Sequence, residues 1–155
     1  MRDPHTPLAS LERELRGTEA TAGTLIDLHT HVLPGIDDGP ATVEEAVDLA
    51  RAIADSGVST VVATPHVSFE YRTTPAQILE ARDALRDALD AAGIALELVT
   101  GAEVDLSYGI DLDDDALAEL RLAGGPFLLV ESPLSPAAGD FDPMLLGLQN
   151  RGHRV

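Results

Sequence analysis

Residues 25–39 read LIDLHTHVLPGIDDG, and within them Asp27, His29 and His31 occupy every second position. A strand has a side-chain period of two, so an extended chain turns all three to one face. Imidazoles beside carboxylates are natural donors for a divalent cation. Pro34, Gly35, Asp37, Asp38 and Gly39 then break the strand into a loop that can return a carboxylate, Asp38, towards those rings. His66, Glu103 and Glu131 each follow a later apolar run. A lone His-x-His could equally be a solvated strand end; the further donors are what favour a site. The chain has no cysteine, so thiolate ligation and disulfides are both excluded. Histidine and carboxylate donors suit manganese, iron or zinc at a hydrolytic centre.

Elements that could position these donors can be read from periodicity and caps. Thr24 to His29 is the first expected strand. Thr42-Val43-Glu44-Glu45 has the form of a capping box. The helix it opens places Ala46, Val47, Ala50, Ile53 and Ala54 on one side and stops at Gly57. Val58 to Thr64 is a β-branched run expected to be covered on both faces, as in a parallel sheet. Thr74-Pro75-Ala76-Gln77 opens a second helix with the stripe Ile78, Ala81, Leu85, Ala88, Leu89 and Ala92, closed by Gly93. Ile94 to Val99 and Phe127 to Val130 are the third and fourth expected strands. Short helices are expected around Ala116 to Leu122 and from Asp142-Pro143 to Gly152. Strand and helix alternate through short connectors, which implies an α/β fold with parallel strands and flanking helices. His29, His31, His66, Glu103 and Glu131 then all fall at carboxyl ends of strands, the edge where such folds build their sites. His153 falls at the start of a strand and is not counted as a ligand.

The bulk properties agree. The chain has 155 residues, 45% hydrophobic and 24% charged, which is ordinary for one globular domain. Residues 1–23 lack a continuing pattern and are expected to form a flexible arm, with His5 as a tail residue and a short amphipathic helix over Leu8 to Arg16; residues 24–155 form the domain. There is no apolar run of membrane-spanning length and no secretory h-region. Twenty-seven acids against ten bases give a net charge of −17. This acidity disfavours nucleic acid and anionic membranes. An anionic phosphate substrate would need bound cations to invert the field locally.

The blocks DLHTHVLPGIDDGP, VVATPH, TGAEV and LLVESP, in this order, resemble the PHP (polymerase and histidinol phosphatase) superfamily. Within it they are most similar to the metal-dependent protein-tyrosine phosphatases of bacterial capsule and exopolysaccharide loci. The resemblance implies a distorted (β/α)7 barrel, here partial, around up to three divalent metals, manganese first. It implies that His29, His31 and Glu103 bind one metal. Glu103 would bridge to a second, shared with Glu131, and Asp38 and His66 would hold a third. It implies metal-assisted hydrolysis of a phosphotyrosine protein, with a polysaccharide-export tyrosine kinase as the partner and the cytoplasm as the location.

The resemblance covers Thr24 to Val155, the first half or a little more of a family member. The family supplies a His-Pro-Glu-Arg-like block and an Asp-x-His pair beyond that point. A truncated domain is therefore expected, with each metal short of a ligand and the activity of this chain left open. Its exposed sheet edges are expected to self-associate. Two alternatives stay open: a non-catalytic half-domain needing a partner chain, and an amidohydrolase-like metal hydrolase.

Overall fold

A computed structural model describes residues 25–132 and 141–155. The expected arm, including His5 and the Leu8 to Arg16 helix, lies outside the described residues. The elements are β1 (Leu25–Thr30), α1 (Val43–Asp55), β2 (Val58–Ala63), β3 (His66–Val67), α2 (Pro75–Ala91), β4 (Glu97–Thr100), β5 (Glu103–Asp105), α3 (Leu106–Gly109), α4 (Asp114–Glu119), β6 (Leu129–Glu131) and α5 (Asp142–Asn150). Two three-stranded sheets result, β1-β2-β4 and β3-β5-β6. Every strand pairing in both is parallel.

The two sheets are two storeys of one surface. β2 runs into β3 through Thr64-Pro65, and β4 into β5 through Gly101-Ala102. Proline has no amide to donate and so interrupts a ladder. Backbone bonds nevertheless carry across the break: Thr64 N–H donates to Thr30 O (2.9 Å), Gly101 N–H to Ala63 O (2.9 Å) and Glu103 N–H to Pro65 O (3.0 Å). Gly101 is required for a different reason. A Cβ there would lie 2.8 Å from Leu122 Cδ2 and 3.1 Å from its Cα, so only glycine lets that turn press against the crease. His66 and Glu103 therefore stand inside short strands of the upper storey, not in loops beyond the lower one.

The helices form where their caps and stripes place them. Thr74 makes the complete reciprocal capping box with Gln77. Thr42 accepts the Glu45 amide at 3.3 Å, but the Glu45 carboxylate turns to Ala41 N–H at 2.8 Å, so the second half of that box is displaced by one residue. α1 buries Ala46 and Ala50, and α2 buries Ile78, Ala81, Leu85 and Leu89. Each fully buried leucine contributes roughly 2 kcal/mol of hydrophobic stabilisation. Val32 and Leu33, directly after β1, are completely buried. They pin the start of the loop that carries Asp37 and Asp38.

Several boundaries differ from expectation. The third strand begins at Glu97, because Ile94 is used as a buried plug after α2. The fourth begins at Leu129; Phe127 makes only a single bridge, to Arg154. The helix expected over Ala116 to Leu122 is α4 followed by a separate 3-10 turn, Leu122–Gly124, in which Ala123 has φ 51°. The start of β1 is apolar, yet Leu25, Ile26 and Leu28 are 56%, 53% and 56% exposed. β1 is an edge that pairs, among the described residues, with β2 alone. Among the described residues no helix is long and apolar enough to cross a membrane.

Candidate metal centre

The upper storey and the end of β1 meet around one carboxylate oxygen. Glu103 is buried, and its Oε2 lies 3.1 Å from His29 Nε2, 3.1 Å from His31 Nε2 and 3.4 Å from His66 Nδ1. The two Nε2 atoms of His29, on β1, and His31, just past its end, are 3.3 Å apart. His66 Nδ1 also lies 3.6 Å from Glu131 Oε2. On its other side, His66 Nε2 is 3.7 Å from Asp38 Oδ1, which is 3.3 Å from His31 Nδ1. All six residues singled out from the sequence thus converge. Asp27 does not join them; its carboxylate accepts the His29 amide at 3.1 Å.

A seventh residue, Asp37, which the sequence marks only as part of the strand-breaking loop, joins them. Its side chain is fully buried, whereas that of Asp38 is 59% exposed. Asp37 Oδ1 accepts Gly39 N–H at 3.0 Å, and Oδ2 takes the His66 amide at 3.0 Å and His31 Nδ1 at 2.7 Å. The i to i+2 bond is an Asx turn, the local habit of aspartate before glycine. Gly39 itself is dictated by space, since a Cβ would fall 2.6 Å from the His31 carbonyl oxygen. An ionised carboxylate only accepts, and Nδ1 lies closer to one (Asp37, 2.7 Å) than Nε2 does (Glu103, 3.1 Å), so the contact to Asp37 favours the proton on Nδ1 and a lone pair on Nε2. That nitrogen faces His29 and Glu103. A carboxylate fixing the tautomer of an imidazole is the usual outer partner of a metal-bound histidine.

The donor set fits a cation. Donors about 2.1 Å from a common ion lie roughly 3.0 to 3.5 Å from one another, whether octahedral or tetrahedral. The three separations among His29, His31 and Glu103 fall in that range. A second group, His31, Asp38 and His66, is also close enough to share an ion, although His31 Nδ1 is committed to Asp37. The electrostatics point the same way. Asp37, Asp38, Glu103 and Glu131 face three imidazoles, and no arginine pairs with them among the described residues. Such a cluster needs either protonated rings or an added cation.

One wall of the site is aromatic. The Tyr71 ring stacks on His66 with centroids 5.6 Å apart and planes 13° from parallel. Desolvation, then the charges of Glu70, Asp38 and Asp37, raise the Tyr71 phenol above its ordinary value, so it stays neutral near neutral pH. The fourth described histidine goes elsewhere. His153 is buried, with Nδ1 accepting from Arg121 Nη2 at 3.0 Å and Nε2 directed at Asp114 Oδ1 at 3.4 Å. Arg151 Nε donates to the same Asp114 oxygen at 2.7 Å.

Comparison with known proteins adds a lineage. Residues 25–154 match the family described as capsular polysaccharide synthesis, CpsB/CapC. The tyrosine-protein phosphatase YwqE of Bacillus subtilis is 30% identical over 130 residues, 83% of this chain and 51% of YwqE. The tyrosine-protein phosphatase CpsB of Streptococcus agalactiae is 36% identical over 55 residues, 36% of this chain and 23% of that protein. A solved structure described under YwqE from Bacillus subtilis and CpsB from Streptococcus pneumoniae, as unique metal-dependent tyrosine phosphatases, superposes with a TM-score of 0.73 at 30% identity. The match covers 83% of this chain and 53% of that one. The chain spans about half the length of the curated relatives it matches in YwqE and CapC.

Proposed function

The chain belongs to the CpsB/CapC family of capsular polysaccharide synthesis, and from that premise we propose that its mouth is the metal-binding half of a phosphoesterase acting on phosphotyrosine in proteins. The observation that carries this reading is the convergence of His29, His31 and Glu103 at coordination-like spacing. In this reading His29, His31 and Glu103 hold one divalent metal. Glu103 and Glu131, facing His66, hold a second, and Asp38 with His66 a third. Manganese suits the nitrogen and oxygen donors, with iron and zinc as alternatives. Bound dications supply charge neutralisation for a phosphoryl group and lower the pKa of a water. The protein's own contribution is positional. Asp37 holds the His31 proton on Nδ1, and Val32 and Leu33 anchor the loop that presents both aspartates.

The finer architecture belongs to the same proposal. The two-storey parallel sheet is read as part of a distorted (β/α)7 barrel spanning residues 24–155, in a cytoplasmic protein whose substrate is a polysaccharide-export tyrosine kinase. The exposed side chains of Leu25, Ile26 and Leu28 on the β1 edge favour a second reading, in which this half works only when another chain covers that edge. One experiment addresses both. Manganese titrated into the 155-residue chain should bind by calorimetry, and the loaded chain should hydrolyse p-nitrophenyl phosphate. Binding without turnover by the monomer, with turnover confined to the dimer, supports the second reading. Absence of manganese, iron and zinc binding would remove both.

A further inference from the structure

The chain has two tyrosines, three phenylalanines and no tryptophan. Both tyrosines and one phenylalanine follow closely in the chain on β3 and β5, the strands that carry His66 and Glu103. Tyr71 stacks on His66. Phe69, two residues earlier in the same turn, meets Tyr108 edge-to-face, with centroids 5.0 Å apart and planes at 84°. Tyr108 lies on α3, directly after β5. The turn carrying Phe69 and Tyr71 is stiff. Ser68 N–H donates to Tyr71 O at 2.8 Å, and Ser68 Oγ accepts the amides of Glu70 and Tyr71 at 3.2 and 3.0 Å.

A preorganised ring loses little freedom when it receives a ligand. Phe69 nevertheless stays 59% exposed, and its burial does little for the fold. Single exposed aromatics are common on protein surfaces. This one differs in being held by a second ring on the neighbouring strand's helix, in the same turn whose Tyr71 stacks on His66.

We propose that Phe69 and Tyr71 are specificity-determining residues that receive the aromatic ring of an aryl phosphate monoester, so that this mouth prefers phosphotyrosine over phosphoserine. The proposal rests on the phosphoesterase reading: the phosphate is drawn to the donors around Glu103, and the ring attached through the ester oxygen lies against Phe69 and Tyr71. Alkyl phosphates leave that aromatic face wet.

The test uses the manganese-loaded 155-residue chain and two peptides of one sequence, one bearing phosphotyrosine and the other phosphoserine. Calorimetric affinities should favour phosphotyrosine by about tenfold, from aromatic pairing and ring burial. Phe69→Ala and Tyr71→Ala should each lower that ratio several-fold, and Phe69→Trp should restore it. Circular dichroism checks that the exposed-site variant Phe69→Ala keeps its fold. A ratio near one in the unmodified chain, or a ratio untouched by both alanine variants, overturns the proposal while leaving the phosphoesterase reading in place. Failure of the loaded chain to bind either peptide overturns both.

Discussion

Two histidine–carboxylate clusters stand among the described residues, and they solve the same electrostatic problem in opposite ways. Around His153, the acid Asp114 is met by Arg151 at 2.7 Å, and Arg121 donates to the ring. The arginines come from the chain itself, and the cluster is closed. Around Glu103, three imidazoles face four carboxylates, with no arginine paired among the described residues. All ten basic residues of the chain are arginines, so cationic side chains were available and are used elsewhere. The lesson is that residue type does not distinguish a histidine cluster neutralised from within from one left short of cations. The source of the compensating positive charge does.

That contrast is open to attack. Glu103→Gln should have the largest effect, because it removes the charge on which three rings converge; manganese affinity should fall on the order of 100-fold or more. Calorimetry showing a variant within threefold of the parent would dissolve the distinction between the clusters. Asp37→Asn should come next, costing roughly 10- to 100-fold in affinity as His31 loses its fixed tautomer. Nitrogen chemical shifts of the His31 ring report that loss directly, and an unchanged ring would contradict it.

The closed cluster should respond in stability instead. Arg151→Ala removes bonds to Asp114 and to the carbonyls of Ile110 and Leu112. Urea unfolding should show a loss of about 1 to 3 kcal/mol, with manganese affinity unmoved. Asp114→Ala should be milder and pH-dependent. Hydrogen bonds from Arg151 and then His153 hold the Asp114 carboxyl below the usual carboxylate range. Its folded pKa is therefore lower than its unfolded one. The contribution is present above the unfolded value, near 4, and is lost as pH falls through the depressed folded value. Thermal melts of the parent and Asp114→Ala should converge on acidification; a gap that widened would refute the assignment.

Much of the open cluster was legible in the sequence. The alternation of His29 and His31, and the fall of His66, Glu103 and Glu131 after apolar runs, are one-dimensional signals with a strand period behind them. Asp37 was not legible as the buried acid of the Asp37-Asp38 pair. Both have the same chemistry, and only the turn to Gly39 and the amide of His66 decide which is enclosed. The second storey was hidden for a related reason. Pro65 and Gly101 read as stops, although the ladder resumes beyond each. β1 is apolar yet largely exposed, because apolar content reports what a strand could bury, not whether a neighbour is there to bury it.

The crease at Pro65 and Gly101 has a mechanical meaning. His29 and His31 come from the lower storey, and His66, Glu103 and Glu131 from the upper. Main-chain bonds at Thr64, Gly101 and Glu103 cross the same fold line over which the side chains of His29 and His31 reach Glu103. An ion gripping both sets would act as a rivet through the fold line. The three amides there become its built-in strain gauges, and their exchange with deuterated solvent should slow when the rivet is in place.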